Sequence, residues 1–436
     1  MANVNPISEQ FETAAELAHG HKKRGKIWVY LMAMGPGLIA ANAGNDAGGI
    51  ATYASAGASY GYDFLWVMVV ILFSLGVVQE MCARLGTVTG KGFSDLVREN
   101  FSLRMTVFIL FALLIANFGV IVTEFVGIGA AAELFGVSRY IAVPVSAVLL
   151  WVLITRGSYS RVEKIFLVLT LVFLSYIGSA ILGKPDWHEV VGQIVTPQIK
   201  EDPAWLTLLI ALIGTTITPY MQLYVQSAVV EKGVKPSEYS FTRFEVWAGT
   251  FFAVAISGFI IIATAATLFP IGQAVETAAD AAQALAPIAG QYASQLFAIG
   301  LLGACLLAGG VLPLSTTYVM SEALGFERGV SFSWREAPVF QGMFTVLLGL
   351  GAALALIPNL PVIQVLLGVQ VLQGLVLPIE LFAILTLINN VELMGKYVNR
   401  RAYNLAAWTI AIVVSLLSLT LIVLTVLDWF GIKLGG

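Results

Sequence analysis

Of the chain's 436 residues, 58% are hydrophobic and only 11% carry a charge, against about a quarter charged in a soluble globular domain. Water is thereby excluded as the solvent for most of its surface. The net charge of −3 lacks the basic footprint that nucleic acid demands, so no nucleic-acid partner is expected. Cys82 and Cys305 stand far apart in apolar stretches and support neither a disulfide framework nor a thiolate metal site; both read as packing residues.

Residues 1–26 are polar and carry the basic cluster His21-Lys22-Lys23-Arg24, followed by a long span rather than a small-residue cleavage site. They read as a retained cytoplasmic tail. From residue 27 onward apolar runs recur with no Pro/Ser-rich linker, so 27–436 reads as one transmembrane domain. Crossing about 30 Å of hydrocarbon takes about 20 helical residues. That length can be laid down eleven times, at about 30–57, 63–84, 104–132, 140–155, 163–182, 204–230, 245–269, 292–321, 337–357, 361–389 and 406–431. The fold class expected is therefore an all-α polytopic membrane protein. Positive side chains are retained on the cytoplasmic face, and with the N-terminus inside, 19 of the 23 Lys and Arg fall there. A multi-pass prokaryotic plasma-membrane protein follows, N-terminus cytoplasmic and C-terminus outside.

Span one is broken at Ala41-Asn42-Ala43-Gly44-Asn45-Asp46-Ala47-Gly48-Gly49, and span six at Gly214-Thr215-Thr216-Ile217-Thr218-Pro219-Tyr220. Their corresponding positions suggest two five-helix repeats, about 27–182 and 203–389, with an additional helix at about 406–431. Paired interruptions of this kind point to a transporter site near the bilayer midplane, because unwound carbonyls and half-helix ends can ligate an ion. Pro219 alone would read as an ordinary kink. Asp46 tips the reading towards function, since an ionised carboxylate at this depth costs about 2.5–3.5 kcal/mol. Glu80, Asn117, Glu124, Gln222, Gln226, Gln370, Gln373 and Glu380 also fall at membrane depth. Glu80 and Arg84, one turn apart at a helix end, read as a snorkelling pair. Gln370 and Gln373 either reach an ion, directly or through water, or bridge helices.

Several segments together resemble the Nramp divalent-metal transporters: Gly35-Pro36-Gly37, Asp46-Ala47-Gly48-Gly49, Ala56-Gly57-Ala58-Ser59-Tyr60-Gly61-Tyr62, Leu65-Trp66, Ala83-Arg84-Leu85-Gly86-Thr87-Val88-Thr89-Gly90-Lys91 and Leu393-Met394-Gly395-Lys396-Tyr397-Val398-Asn399. The resemblance implies a LeuT-like fold of inverted five-helix repeats with helices one and six unwound. Where the family has Asp-Pro-Gly-Asn in helix one, this chain keeps Asp46 but has Gly49 in place of the asparagine ligand. Where the family has Met-Pro-His in helix six, it has Thr218-Pro219-Tyr220. Thioether ligands suit softer transition metals, while Mg2+ takes oxygen and gives up its waters reluctantly. These substitutions resemble those of the Nramp-related magnesium transporters. The implied site is Asp46 for charge, carbonyls near Asn45 and Thr215, the vacated position at Gly49, the Thr218 hydroxyl and Gln370. Thr218 either offers its hydroxyl or back-bonds to its own helix, and Met221 either supplies sulfur or packs.

His19, His21 and His188 all lie outside the spans, the family's helix-three aspartate falls on Ile121 beside Glu124, and only Arg335 approaches its helix-nine arginine pair. A proton path is therefore not expected. The expected function is Mg2+ uptake, with Mn2+ also carried, by alternating access as a uniporter, the ion being substrate and no cofactor being needed. Two charges falling through 100 mV gain about 4.6 kcal/mol without any proton. A proton-coupled Mn2+/Fe2+ symporter and a small organic solute transporter on the same fold are the alternatives. No enzyme is expected, because no His/Cys or Ser/His/Asp constellation falls at membrane depth. Beyond the ion and the lipid bilayer no partner is implied, and a monomer is expected.

Overall fold

The computed structural model describes residues 45–155, 174–231, 233–327, 329 and 332–429. The tail at 1–26, the first half of span one, most of span five and the C-terminal end lie outside them. Among the described residues eight helices are long and apolar enough to cross a bilayer, the two halves of span six counting as one, and Arg139–Thr155 is a shorter apolar helix. Within span one the described helix is Ala47–Tyr60. Span two is Leu65–Thr89, span three Leu103–Leu134 and span four Arg139–Thr155. Span six is split into Pro203–Thr216 and Pro219–Glu231. Spans seven to eleven are Tyr239–Thr267, Ala293–Leu324, Pro338–Ala355, Val362–Ile388 and Arg401–Trp429.

Hydrocarbon is an apolar solvent, so the polarity of the fold runs inward. Span eleven turns Leu405, Ile412, Leu416 and Leu419 outward at helical spacing, and span three does the same with Val107, Phe108 and Phe111. Asn45, Asp46, Asn117, Glu124, Gln222, Gln370 and Glu380 are all fully buried. Span one lies against span seven, span three runs along span eight, and the first half of span six packs on span ten. That last crossing is backbone on backbone. A Cβ on Gly214 would stand 2.1 Å from the Gln370 carbonyl oxygen, and one on Gly374 would stand 2.6 Å from that of Ile210. Gly214 is thus helical and serves close packing; the break in span six falls after it, at Ile217 and Thr218.

The expectation for Glu80 and Arg84 needs correction. Both side chains are buried and paired at 3.2 Å rather than snorkelling to the surface. The chain after span ten folds back over the end of span two and supplies acceptors in place of water. Arg84 donates to the Tyr397 carbonyl at 3.0 Å and to Asn399 Oδ1 at 2.5 Å, with its guanidinium 5.4 Å from the Tyr403 ring centroid. At the opposite end of the helices Asp202 caps Pro203–Thr216 by accepting from the Ala204 N–H at 3.0 Å. It also accepts from the Tyr60 hydroxyl at 2.6 Å, tying the end of span one to the start of span six.

Two outcomes follow. Gly214→Val forces the six–ten crossing apart, and overpacking of this kind costs about 1–3 kcal/mol; a lower melting temperature of the purified protein in detergent checks it. The Asp202 carboxyl is held below the usual carboxylate range, first by the Tyr60 hydroxyl and then by the Ala204 N–H. A lowered folded-state pKa adds stability above the unfolded value of about 3.9, and that stability is lost as pH falls through the folded value. Tyr60→Phe therefore lowers the melting temperature slightly at neutral pH, and melts taken down an acid series show the difference disappearing.

Candidate metal centre

The centre is built where spans one and six stop being helical. Asp46 is the N-cap of Ala47–Tyr60, and its Oδ1 accepts from the Gly49 N–H at 2.6 Å. The capping bond fixes the carboxylate and takes the donor that a continuing helix would give to the Asn45 carbonyl. Asp46 Oδ2 is buried and accepts no hydrogen bond. In span six Pro219 has no N–H, so the Thr215 carbonyl lacks its helical donor. The Thr218 hydroxyl reaches that carbonyl only at 3.4 Å, a long and weak bond. Helix Pro203–Thr216 also ends here, placing the negative end of its dipole at the break.

The other expected residues are disposed as follows. Asn45 turns its Oδ1 to the Ser257 hydroxyl of span seven, which donates to it at 3.0 Å. Gly49 orients Asp46 through its N–H. The Gln370 amide lies directly on the first turn of span one, where a Cβ on Gly48 would be 1.7 Å from its Nε2. Neither amide atom of Gln370 has a hydrogen-bond partner, and the Thr215 hydroxyl has none either. Gln373 is turned away and donates to the Ala116 carbonyl of span three at 2.7 Å. Met221 packs in the apolar core. Gln226 donates to the Lys91 carbonyl at 3.0 Å and so bridges elements.

Other members of the centre carry weaker sequence signals. Tyr53, two turns beyond Asp46 on the same helix face, meets Thr216 Oγ1 at 2.8 Å and lies beside Ser257 and Thr215. Tyr220 stands beside Thr218, Tyr53 and both buried acids. Gln222, one turn beyond Thr218, is buried with neither amide atom paired. The period of span one could have found Tyr53; nothing in the apolar sequence of span seven marks Ser257. Glu124 of span three is near enough to Asp46 to interact electrostatically. Among the described residues, the groups that interact with Asp46 are the Gly49 and Gly48 N–H and this second carboxyl, and no cationic side chain. Two acids and a set of free oxygens without a countercharge can be neutralised by a divalent cation.

A family model described as Natural resistance-associated macrophage protein-like, Nramp, matches residues 37–424. Among curated proteins, the chain is 28% identical over 423 residues to a divalent metal cation transporter MntH of Burkholderia ambifaria, covering 92% of this chain and 91% of that protein. An MntH of Klebsiella pneumoniae is 29% identical over 401 residues, covering 89% and 93%. Among solved structures, a manganese transporter of Eremococcus coleocola superposes with a TM-score of 0.74 at 20% identity, covering 95% of this chain and 91% of that one. The nucleobase-cation symporter Mhp1 superposes with a TM-score of 0.56 at 14% identity, covering 89% and 91%. These likenesses establish a LeuT-like fold. With the family pattern matched across most of its length, the chain belongs to the Nramp family.

Proposed function

We propose that this chain carries Mg2+, and Mn2+ as well, across a prokaryotic plasma membrane by alternating access, as a uniporter. The observation that carries this reading is the buried Asp46 carboxylate, with one oxygen unpartnered and no cationic side chain interacting with it among the described residues. Sulfur is absent from the position before Pro219, where Thr218 stands. Hard oxygen donors suit Mg2+. The relatives are named divalent metal cation transporters and a manganese transporter, which supports a divalent cation as cargo. The ligands proposed are Asp46, the carbonyls of Asn45 and Thr215, the Thr218 hydroxyl and Gln370, with Gly49 holding Asp46 in place. Rocking of one bundle against the other around the two breaks would expose the centre to either side in turn. The sorting of Lys and Arg supports a cytoplasmic N-terminus.

Proton-coupled Mn2+ transport is the second reading, and Glu124 favours it by placing a second carboxyl beside Asp46. The two readings separate in proteoliposomes with lumenal pH recorded during uptake. The uniporter gives saturable Mg2+ uptake with unchanged lumenal pH, and Asp46→Ala reduces that uptake by about 100-fold. Mn2+ entry with lumenal acidification, and no Mg2+ entry, would sink the uniporter in favour of the symporter. A further outcome concerns selectivity. The double variant Gly49→Asn/Thr218→Met adds an amide and a thioether, and uptake competition should show the preference for Mn2+ over Mg2+ rising by about tenfold or more.

A further inference from the structure

We propose that Cys305 provides a binding site for thiophilic divalent cations between spans one, three and eight, a softer subsite beside Asp46 that hard ions pass without engaging. The proposal rests on the reading of Asp46 as a cation ligand. Cys305 is a free, fully buried thiol in span eight. Its sulfur and the Ala47 side chain close on the same point of span three, because a Cβ on Gly127 would stand 2.6 Å from Cys305 Sγ and 2.6 Å from Ala47 Cβ. The thiol therefore borders the residue that follows Asp46. One turn along span eight, a Cβ on Gly309 would lie 3.7 Å from that of Glu124. Span eight thus presents Cys305 and Gly309 to the stripe of span three that carries Glu124 and Gly127.

Two further groups in this space point to a ligand. Glu124 lies beside the Cys305 thiol and the Ala47 N–H, yet neither carboxyl oxygen completes a hydrogen bond. Asp46 Oδ2 is equally unpartnered. Among the described residues no three His, Cys, Asp or Glu side chains are gathered closely enough to chelate an ion, so capture requires the side chains to close in. The chemistry is ligand exchange without redox. The Cys305 S–H bond breaks, its proton leaves to solvent, a sulfur–metal bond forms, and a carboxylate balances the charge. Cd2+ is soft enough to make that bond; Mg2+ stays with oxygen.

The probe is CdCl2, added to purified wild type, Cys305→Ser and Cys82→Ser, with the ultraviolet cadmium–thiolate absorption band as readout. Wild type and Cys82→Ser should show the band and Cys305→Ser should lack it. In proteoliposomes, Cd2+ should inhibit Mn2+ uptake, and its potency should fall by about tenfold or more in Cys305→Ser, each variant being compared with its own uninhibited rate. Cys305→Ala serves where the serine variant fails to fold. A band of equal strength in Cys305→Ser, a wild type without the band, or unchanged Cd2+ potency would each overturn the proposal. Failure of the Mg2+ reading is seen separately, because the band does not depend on which hard ion is transported.

Discussion

The centre is organised around the Asp46 carboxyl, which is buried with no cationic side chain interacting with it among the described residues. Asp46 stays in place because it serves as the cap of a helix that begins inside the protein, with one oxygen held by the Gly49 N–H and the other left over. An uncompensated charge in this environment is costly enough that the surroundings must supply dipoles or a cation. The main-chain carbonyls at the span-six break have the sign needed to receive a cation, and the end of helix Pro203–Thr216 adds to it.

Buried polar groups are satisfied to different degrees. Arg84 finds Glu80, Asn399 and a carbonyl, while Gln373 and Gln226 each donate to a carbonyl and keep an unpaired amide oxygen. Asp46 Oδ2, the Thr215 hydroxyl and both amide atoms of Gln222 and Gln370 lack partners. Satisfied networks rigidify a buried interior, whereas orphaned groups gain from a ligand.

Hardness in the centre is set by what is missing as much as by what is present. Gly49 and Thr218 leave oxygen as the ligand type at the breaks, while the sulfur of Met221 is committed to the apolar core. Sulfur returns from span eight through Cys305, which meets span three at the same point as Ala47. A soft donor placed off the oxygen set would discriminate between ions by polarisability rather than by charge.

The sequence by itself determined the membrane class, most span positions and the interruption of spans one and six. These follow from local rules: hydrocarbon thickness sets helix length, proline removes a donor, and a lone acid among apolar residues has few structural excuses. Tertiary structure alone decided which polar side chains face the breaks. Gln370 and Gln373 lie one turn apart and are indistinguishable in the sequence, yet the first rests on Gly48 and the second on span three. The burial of Glu80 and Arg84 depended on a loop more than 300 residues away folding over them. Ser257, Tyr53 and Cys305 entered the centre only through contacts between spans distant in the chain. Helix periodicity fixes a residue's angle about its own axis, and the packing of neighbouring helices fixes what that angle faces.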